Sequence, residues 1–251
     1  MRPLAPLFCM LAFTGSVSAQ DYAREQRLER EILPVVVGEP VKLRLAAGRE
    51  FLGLHTQAAG AKAAVVLVHG RNVHPDHDLT GALRVALADL GYTTLSIQMP
   101  VLGAEAQRVE DYYPALFPEA AERIGVAAAW LRERGESRIA LVSHSMGSWM
   151  ANEYFDANPR SPYAAWVCLG LTGGYSWATY ASPRPILDVY GEADLPAVVG
   201  AAWRRRMAMA SAAEGSRQVR IEGADHSFTG KHQALAREIA GWLATTLPAA
   251  R

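Results

Sequence analysis

An apolar run, Ile139-Ala140-Leu141-Val142, leads the chain into Ser143-His144-Ser145-Met146-Gly147 and then into a helix-compatible stretch. A buried strand, a serine flanked two residues away on each side by small residues, and a helix constrain the fold more than any other feature. The turn is sharp and strained, so bulk is excluded at both flanking positions. The serine hydroxyl is lifted out at the carboxyl end of a sheet, beside the positive end of the next helix. Ser143 fills the first small position in place of glycine, which the turn tolerates because only bulk is excluded.

The rest of the chain supplies the layers such a turn needs. Residues 35–45 and 51–55 flank the turn signal Ala46-Ala47-Gly48 and predict an antiparallel hairpin. Residues 63–68 form a short continuous apolar run, as in a strand covered on both faces, and end in His69-Gly70-Arg71-Asn72. Helical periodicity over 79–90 stops at Gly91, a strand follows at 92–97, and 99–118 is irregular. Helices are expected over 119–134, 146–157, 197–213 and 231–247, and strands over 164–171, 186–190 and 218–221. A hairpin followed by strand–helix alternation implies one α/β domain over 20–251, with a mainly parallel sheet and helices on both faces. Ligands of such sheets bind outside the carboxyl ends of the strands. Residues 21–30, charged and helix-compatible, read as a poorly ordered arm.

With 251 residues, 50% of them hydrophobic, the chain can build one sizeable core. Its net charge of +0 gives no electrostatic reason to expect nucleic acid or an anionic membrane surface. Residues 1–19 read as a signal peptide: Arg2 at the start, an apolar stretch over 7–13, and Val17-Ser18-Ala19 as a cleavage site before Gln20. That stretch is too short to span a bilayer, and nothing later approaches ~20 uninterrupted apolar residues. The expectation is export, to a bacterial periplasm, with no integral membrane segment after cleavage; the competing reading is an uncleaved N-terminal anchor. Of the 2 cysteines, Cys9 would leave with the signal, and Cys168 lies in an apolar run. The mature chain would then have no intramolecular disulfide, and Cys168 reads as packing.

A serine hydroxyl is a poor nucleophile at neutral pH; it needs a base, and the base needs a third group to orient it. His226, directly after the last predicted strand, is the candidate base, and Asp194, just after the preceding strand, the candidate orienter. Asp188, Glu192 and Asp225 compete with Asp194, and Asp188 is disfavoured by its position inside a strand. The order Ser145, Asp194, His226 puts all three at strand carboxyl ends.

On His69-Gly70, Ser143 to Gly147, and Gly191-x-x-Asp194 followed by Gly223-Ala224-Asp225-His226, the sequence resembles the α/β-hydrolase superfamily. Within it, the chain is similar to poorly characterised exported bacterial members. The resemblance implies the α/β-hydrolase fold and a Ser145–Asp194–His226 triad. It also implies an oxyanion hole from the backbone N–H of Met146 and of Arg71, with Asn72 as a substitute for Arg71. His69 would brace its loop. The interval between the strands at 164–171 and 186–190 is short, so any cap would be minimal and 99–118 becomes the main candidate cover. The implied activity is that of a carboxylesterase-like serine hydrolase acting on a small-molecule ester or thioester, without metal or organic cofactor; amide and carbon–carbon cleavage stay open. The competing class is a non-catalytic exported binding protein on the same fold.

His74-Pro75-Asp76-His77-Asp78 carries metal-ligating residue types, but consecutive loop residues rarely converge on one ion. A turn with Asp78 as helix N-cap is the preferred reading. Arg204-Arg205-Arg206 reads as a solvated helix face. The aromatic pieces Tyr112-Tyr113-Pro114-x-x-Phe117 and Tyr175-Ser176-Trp177-x-x-Tyr180 either overhang the site or pack as ordinary loops.

Overall fold

A computed structural model describes residues 20–103, 113–176, 179, 181 and 183–247. The signal-peptide reading of residues 1–19, with Val17-Ser18-Ala19, therefore lies outside the described residues, as do Tyr112, Trp177 and Tyr180.

Among the described residues eight strands form one sheet in the order β1-β2-β4-β3-β5-β6-β7-β8. The hairpin β1 (Glu39–Arg44) and β2 (Glu50–Thr56) is antiparallel, and β2 pairs antiparallel with β4 (Thr93–Ile97). From β4 onward, through β3 (Ala64–Val68), β5 (Ile139–His144), β6 (Tyr163–Leu169), β7 (Ile186–Gly191) and β8 (Arg217–Ile221), every pairing is parallel. Strands β3 and β4, and β5 as far as Ser143, are buried without alternation because helices cover both faces. One face is packed by α3 (Phe117–Glu133) and α4 (Met146–Ala157), through Ile124, Ala128, Met150 and Phe155. The other is packed by α2 (Asp78–Asp89) and α6 (His232–Thr246), through Leu83, Leu87, Leu235 and Ile239. Helix α5 (Pro196–Met209) lies against β7 and β8.

Two sequence expectations are corrected. The segment after Gln20 is not a loose arm. Residues Tyr22–Ile32 form helix α1, capped by Asp21, whose side chain accepts the Arg24 N–H. Glu25 accepts two hydrogen bonds from Arg123 of α3, both 2.9 Å, and the Tyr22 hydroxyl donates to Glu119 at 2.6 Å. At its other end Ile32 packs on Leu52 and Leu54, which face the opposite side of the sheet. The helix thus crosses from one face to the other. Its tethers are polar and long-range, a kind of anchoring that apolar periodicity does not register.

Nor are the three arginines of α5 equally solvated. Arg205 is fully buried. Its Nε donates to both carboxylate oxygens of Asp188, at 3.0 and 2.9 Å, and its Nη1 donates to the carbonyls of Leu171 and Gly173. Arg204 and Arg206 are exposed. Adjacent helical residues point in different directions, and the one that turns inward is received by Asp188 on β7.

Candidate active site

The turn after β5 holds Ser145 at φ 55°, ψ −121°, a left-handed conformation that a side chain other than glycine rarely adopts. Three contacts keep it there. The Ser145 N–H donates to the Leu169 carbonyl at 2.9 Å, and the Ser148 N–H returns to the Ser145 carbonyl. Gly147 does the rest: a Cβ there would sit 2.4 Å from the His69 carbonyl oxygen. Only glycine lets α4 start so close to β3. Ser143 does more than fit. Its hydroxyl accepts from Trp166 Nε1 at 2.8 Å and lies 3.1 Å from the Ser148 hydroxyl, in a fully buried polar chain.

The turns after β7 and β8 bring the other two candidates to this serine. A Cβ at Gly191 would lie 2.2 Å from the Ala224 carbonyl oxygen, so glycine permits the two turns to touch, and the Ala193 N–H donates across to Ala224. His226 Nε2 is 2.9 Å from Ser145 Oγ, and His226 Nδ1 is 2.6 Å from Asp194 Oδ1. Asp194 also accepts the N–H of Leu195 at 2.7 Å and of Gly191 at 3.2 Å. Burial pushes its carboxyl up, but the hydrogen bond and charge of His226 and the two amides outweigh it, leaving Asp194 below the usual carboxylate value. An ionised Asp194 fixes the proton on Nδ1 and leaves Nε2 to accept from the serine hydroxyl.

The competing acids lie elsewhere. Asp188 is buried against Arg205, Glu192 accepts the Gly223 N–H, and Asp225 accepts the Thr229 N–H. Met146 is the first residue of α4, where a backbone N–H has no intrahelical acceptor. Arg71 and Met146 both line the cavity that holds Ser145, and Asn72 does not. His69 is fully buried, and burial drives its pKa down to about 3. Its Nε2 accepts the Met99 N–H at 2.9 Å, so Nδ1 carries the proton and donates to the Gly70 carbonyl at 2.8 Å. It ties the loop after β3 to the segment after β4.

The cavity is 810 Å³. Its walls are largely apolar, with Val73, Leu79, Phe117, Met146, Trp149 and Leu195, and His77 and Asp78 add a polar patch. Of the aromatic pieces, Phe117 lines it, while Tyr175 turns inward against Trp166, ring centroids 5.3 Å apart. Asp78 is not the N-cap of α2: His77 takes that position without a side-chain bond, and Asp78 is the first helical residue, at φ 39°. In the same loop Asp76 is bound to Arg84, and the His74 and His77 rings meet edge to face. Among the described residues no three His, Cys, Asp or Glu side chains are grouped as metal ligands would be.

One residue escaped the sequence reading. His144 Nε2 donates to the backbone carbonyl of His226 at 2.9 Å, and the two rings lie tilted to one another with centroids 4.8 Å apart. Burial, helped by the neighbouring His226, lowers the His144 pKa to about 4, so it is a neutral donor that steadies the loop of the candidate base. Its only sequence signal is adjacency to Ser145.

No family model and no curated protein matches the chain. Solved structures do. The dienelactone hydrolase of Anabaena variabilis ATCC 29413 shares 21% identity at a TM-score of 0.65, covering 84% of this chain and 98% of its own. XC6422 from Xanthomonas campestris, described as an α/β serine hydrolase without lid, shares 17% at 0.64, covering 85% and 96%. The Pyrococcus furiosus esterase Pf2001 shares 12% at 0.65, covering 88% and 95%. The order of strands, the turn at Ser145 and these likenesses agree on one architecture: the chain has the α/β-hydrolase fold.

Proposed function

We propose that the protein is a serine hydrolase that cleaves an ester or thioester through an acyl-enzyme on Ser145. The observation that carries this reading is the continuous relay from Ser145 Oγ through His226 to the buried Asp194 carboxylate. Ser145 Oγ attacks the substrate carbonyl carbon while His226 Nε2 takes its proton. The Arg71 and Met146 N–H groups receive the developing oxyanion, each donor worth roughly 10²–10³ in rate. Collapse expels the alcohol or thiol, protonated by His226. Water, deprotonated by the same imidazole, then attacks the acyl carbon and frees the acid and Ser145. No metal or organic cofactor enters these steps. The hydrolase and esterase names of the structural neighbours support hydrolysis as the reaction class. The apolar walls of the cavity favour an apolar group on the substrate. We place the protein in the periplasm after removal of residues 1–19.

Intact-mass analysis after treatment with a fluorophosphonate probe tests the reading. The expected result is one adduct on the wild type and none on Ser145→Ala. A folded wild type that takes no adduct overturns it.

A further inference from the structure

Helix α5 is apolar on two sides. Its inner side packs Val198 and Ala202 against the body of the protein and carries the buried Arg205. Its outer side presents Val199, Trp203 and Met207, exposed by 40%, 57% and 65%, in line behind Leu195 at 46%. Residues four apart on a helix lie one above the other, so these side chains form one ridge. An ordinary surface helix turns one apolar stripe to the core and a polar face to water. α5 keeps the first and replaces the second.

The charge that the helix itself carries has one sign. Residues 195–213 contain three arginines and no aspartate or glutamate. Asp188 neutralises Arg205 in the interior, whereas Arg204 and Arg206 are exposed. At 3.6 residues per turn these two fall on opposite flanks of the line through Trp203 and Met207. Two copies meeting through this face would bring like-charged margins together; an anionic surface complements it. The ridge also starts at the candidate active site. Leu195 lines the cavity of Ser145, and its N–H donates to Asp194.

We propose that the outer face of α5 docks the protein onto an anionic phospholipid surface. Trp203 and Met207 enter the boundary between headgroups and acyl chains, Arg204 and Arg206 meet the phosphates, and the Leu195 end brings the cavity beside the bilayer. Because the net charge is +0, long-range attraction is weak and the contact is short-range. Insertion of the ridge carries it, and each arginine adds roughly fivefold in affinity. The docking stands without the hydrolase reading; only its value in delivering acyl esters to Ser145 rests on that reading.

Flotation with phosphatidylcholine vesicles, with and without phosphatidylglycerol, tests the proposal. It compares wild type, the double variant Trp203→Ser/Met207→Ser and the double variant Arg204→Glu/Arg206→Glu. Sedimentation equilibrium without lipid and turnover of a short soluble ester accompany it. The wild type is expected to bind phosphatidylglycerol vesicles as a monomer. Each double variant should bind more than tenfold more weakly, with circular dichroism and soluble-ester turnover unchanged. Absence of wild-type binding overturns the proposal, as does binding that Trp203→Ser/Met207→Ser leaves intact. A wild-type dimer that the same substitutions dissociate also overturns it, because the face would then be an interface between copies. Lipid binding lost in the variants, by a folded protein that takes no fluorophosphonate adduct, supports the docking and removes the hydrolase reading alone.

Discussion

Arg205→Met should be among the most damaging single substitutions away from the cavity. The variant keeps the volume of the side chain and removes its charge and donors. Asp188, fully buried, would lose both bonds from Nε and keep the Gln218 amide at 2.6 Å. The carbonyls of Leu171 and Gly173, at 2.6 and 3.2 Å from Nη1, would lose their donor as well. Leaving one member of a buried ion pair behind costs about 3–5 kcal/mol. For a domain of this size that is a fall in Tm of about 6–20 °C. The loss should depend on pH. An unpaired buried carboxylate has its pKa raised in the folded state, so the variant is least destabilised below the ordinary aspartate range and loses stability as pH rises through the raised value. Replacing both partners by apolar residues, Asp188→Leu/Arg205→Met, should recover most of the loss, since a buried pair contributes little over a packed apolar one. Urea unfolding followed by circular dichroism, at pH 5 and pH 8, measures all three proteins. A loss under ~1 kcal/mol in Arg205→Met, or a double variant no better than the single one, would refute the argument.

Gly147→Ala forces a Cβ to 2.4 Å from the His69 carbonyl oxygen, where only backbone can yield, and should cost about 1–3 kcal/mol or more in urea unfolding, with α4 pushed off β3. In Asp194→Asn the amide cannot accept from His226, Leu195 and Gly191 as the carboxylate does, the imidazole loses its tautomer, and kcat on an ester substrate should fall by roughly 10⁴. Because the folded pKa of Asp194 is lowered, its stabilisation is complete above the ordinary carboxylate value and vanishes as pH falls through the folded value; the stability gap between wild type and Asp194→Asn should therefore close in acid. Burial pushes the Cys168 thiol up to about 12, so a thiol reagent should leave the native protein unlabelled at pH 8 and label it stoichiometrically in urea.

What could be read from the sequence follows the reach of local pattern. The strands are visible because unbroken runs such as Ala64–Val68 have few alternatives, and the bounds of α4 are legible because a turn of fixed shape precedes it. Ser145, Asp194 and His226 could be nominated because each follows a strand, although what unites them is a contact between two turns that glycine at 191 permits. Asp194 could be set above Asp188 by its position alone. Arg205 could not be told from Arg204 and Arg206, since the rotational phase of a helix is fixed by what it packs on. Helix α1 was undervalued for a related reason: its affinity for the body lies in Glu25 and Tyr22, whose partners are distant in sequence. His144 is marked only by its adjacency to Ser145, because its acceptor is a main-chain carbonyl on another turn.

Helix α1 also bears on how the protein comes apart. Glu25 and Arg123 are 98 residues apart. We expect the helix to dock after the parallel strands have associated, because its partners Arg123 on α3 and Val101 beyond β4 must already be in place. An interaction absent from the folding transition state changes the unfolding rate and leaves the folding rate alone. Weakening the pair, as in Glu25→Gln, would therefore shorten the lifetime of the native protein while leaving its refolding as fast as before. By lying across both faces of the sheet, helix α1 acts as a latch.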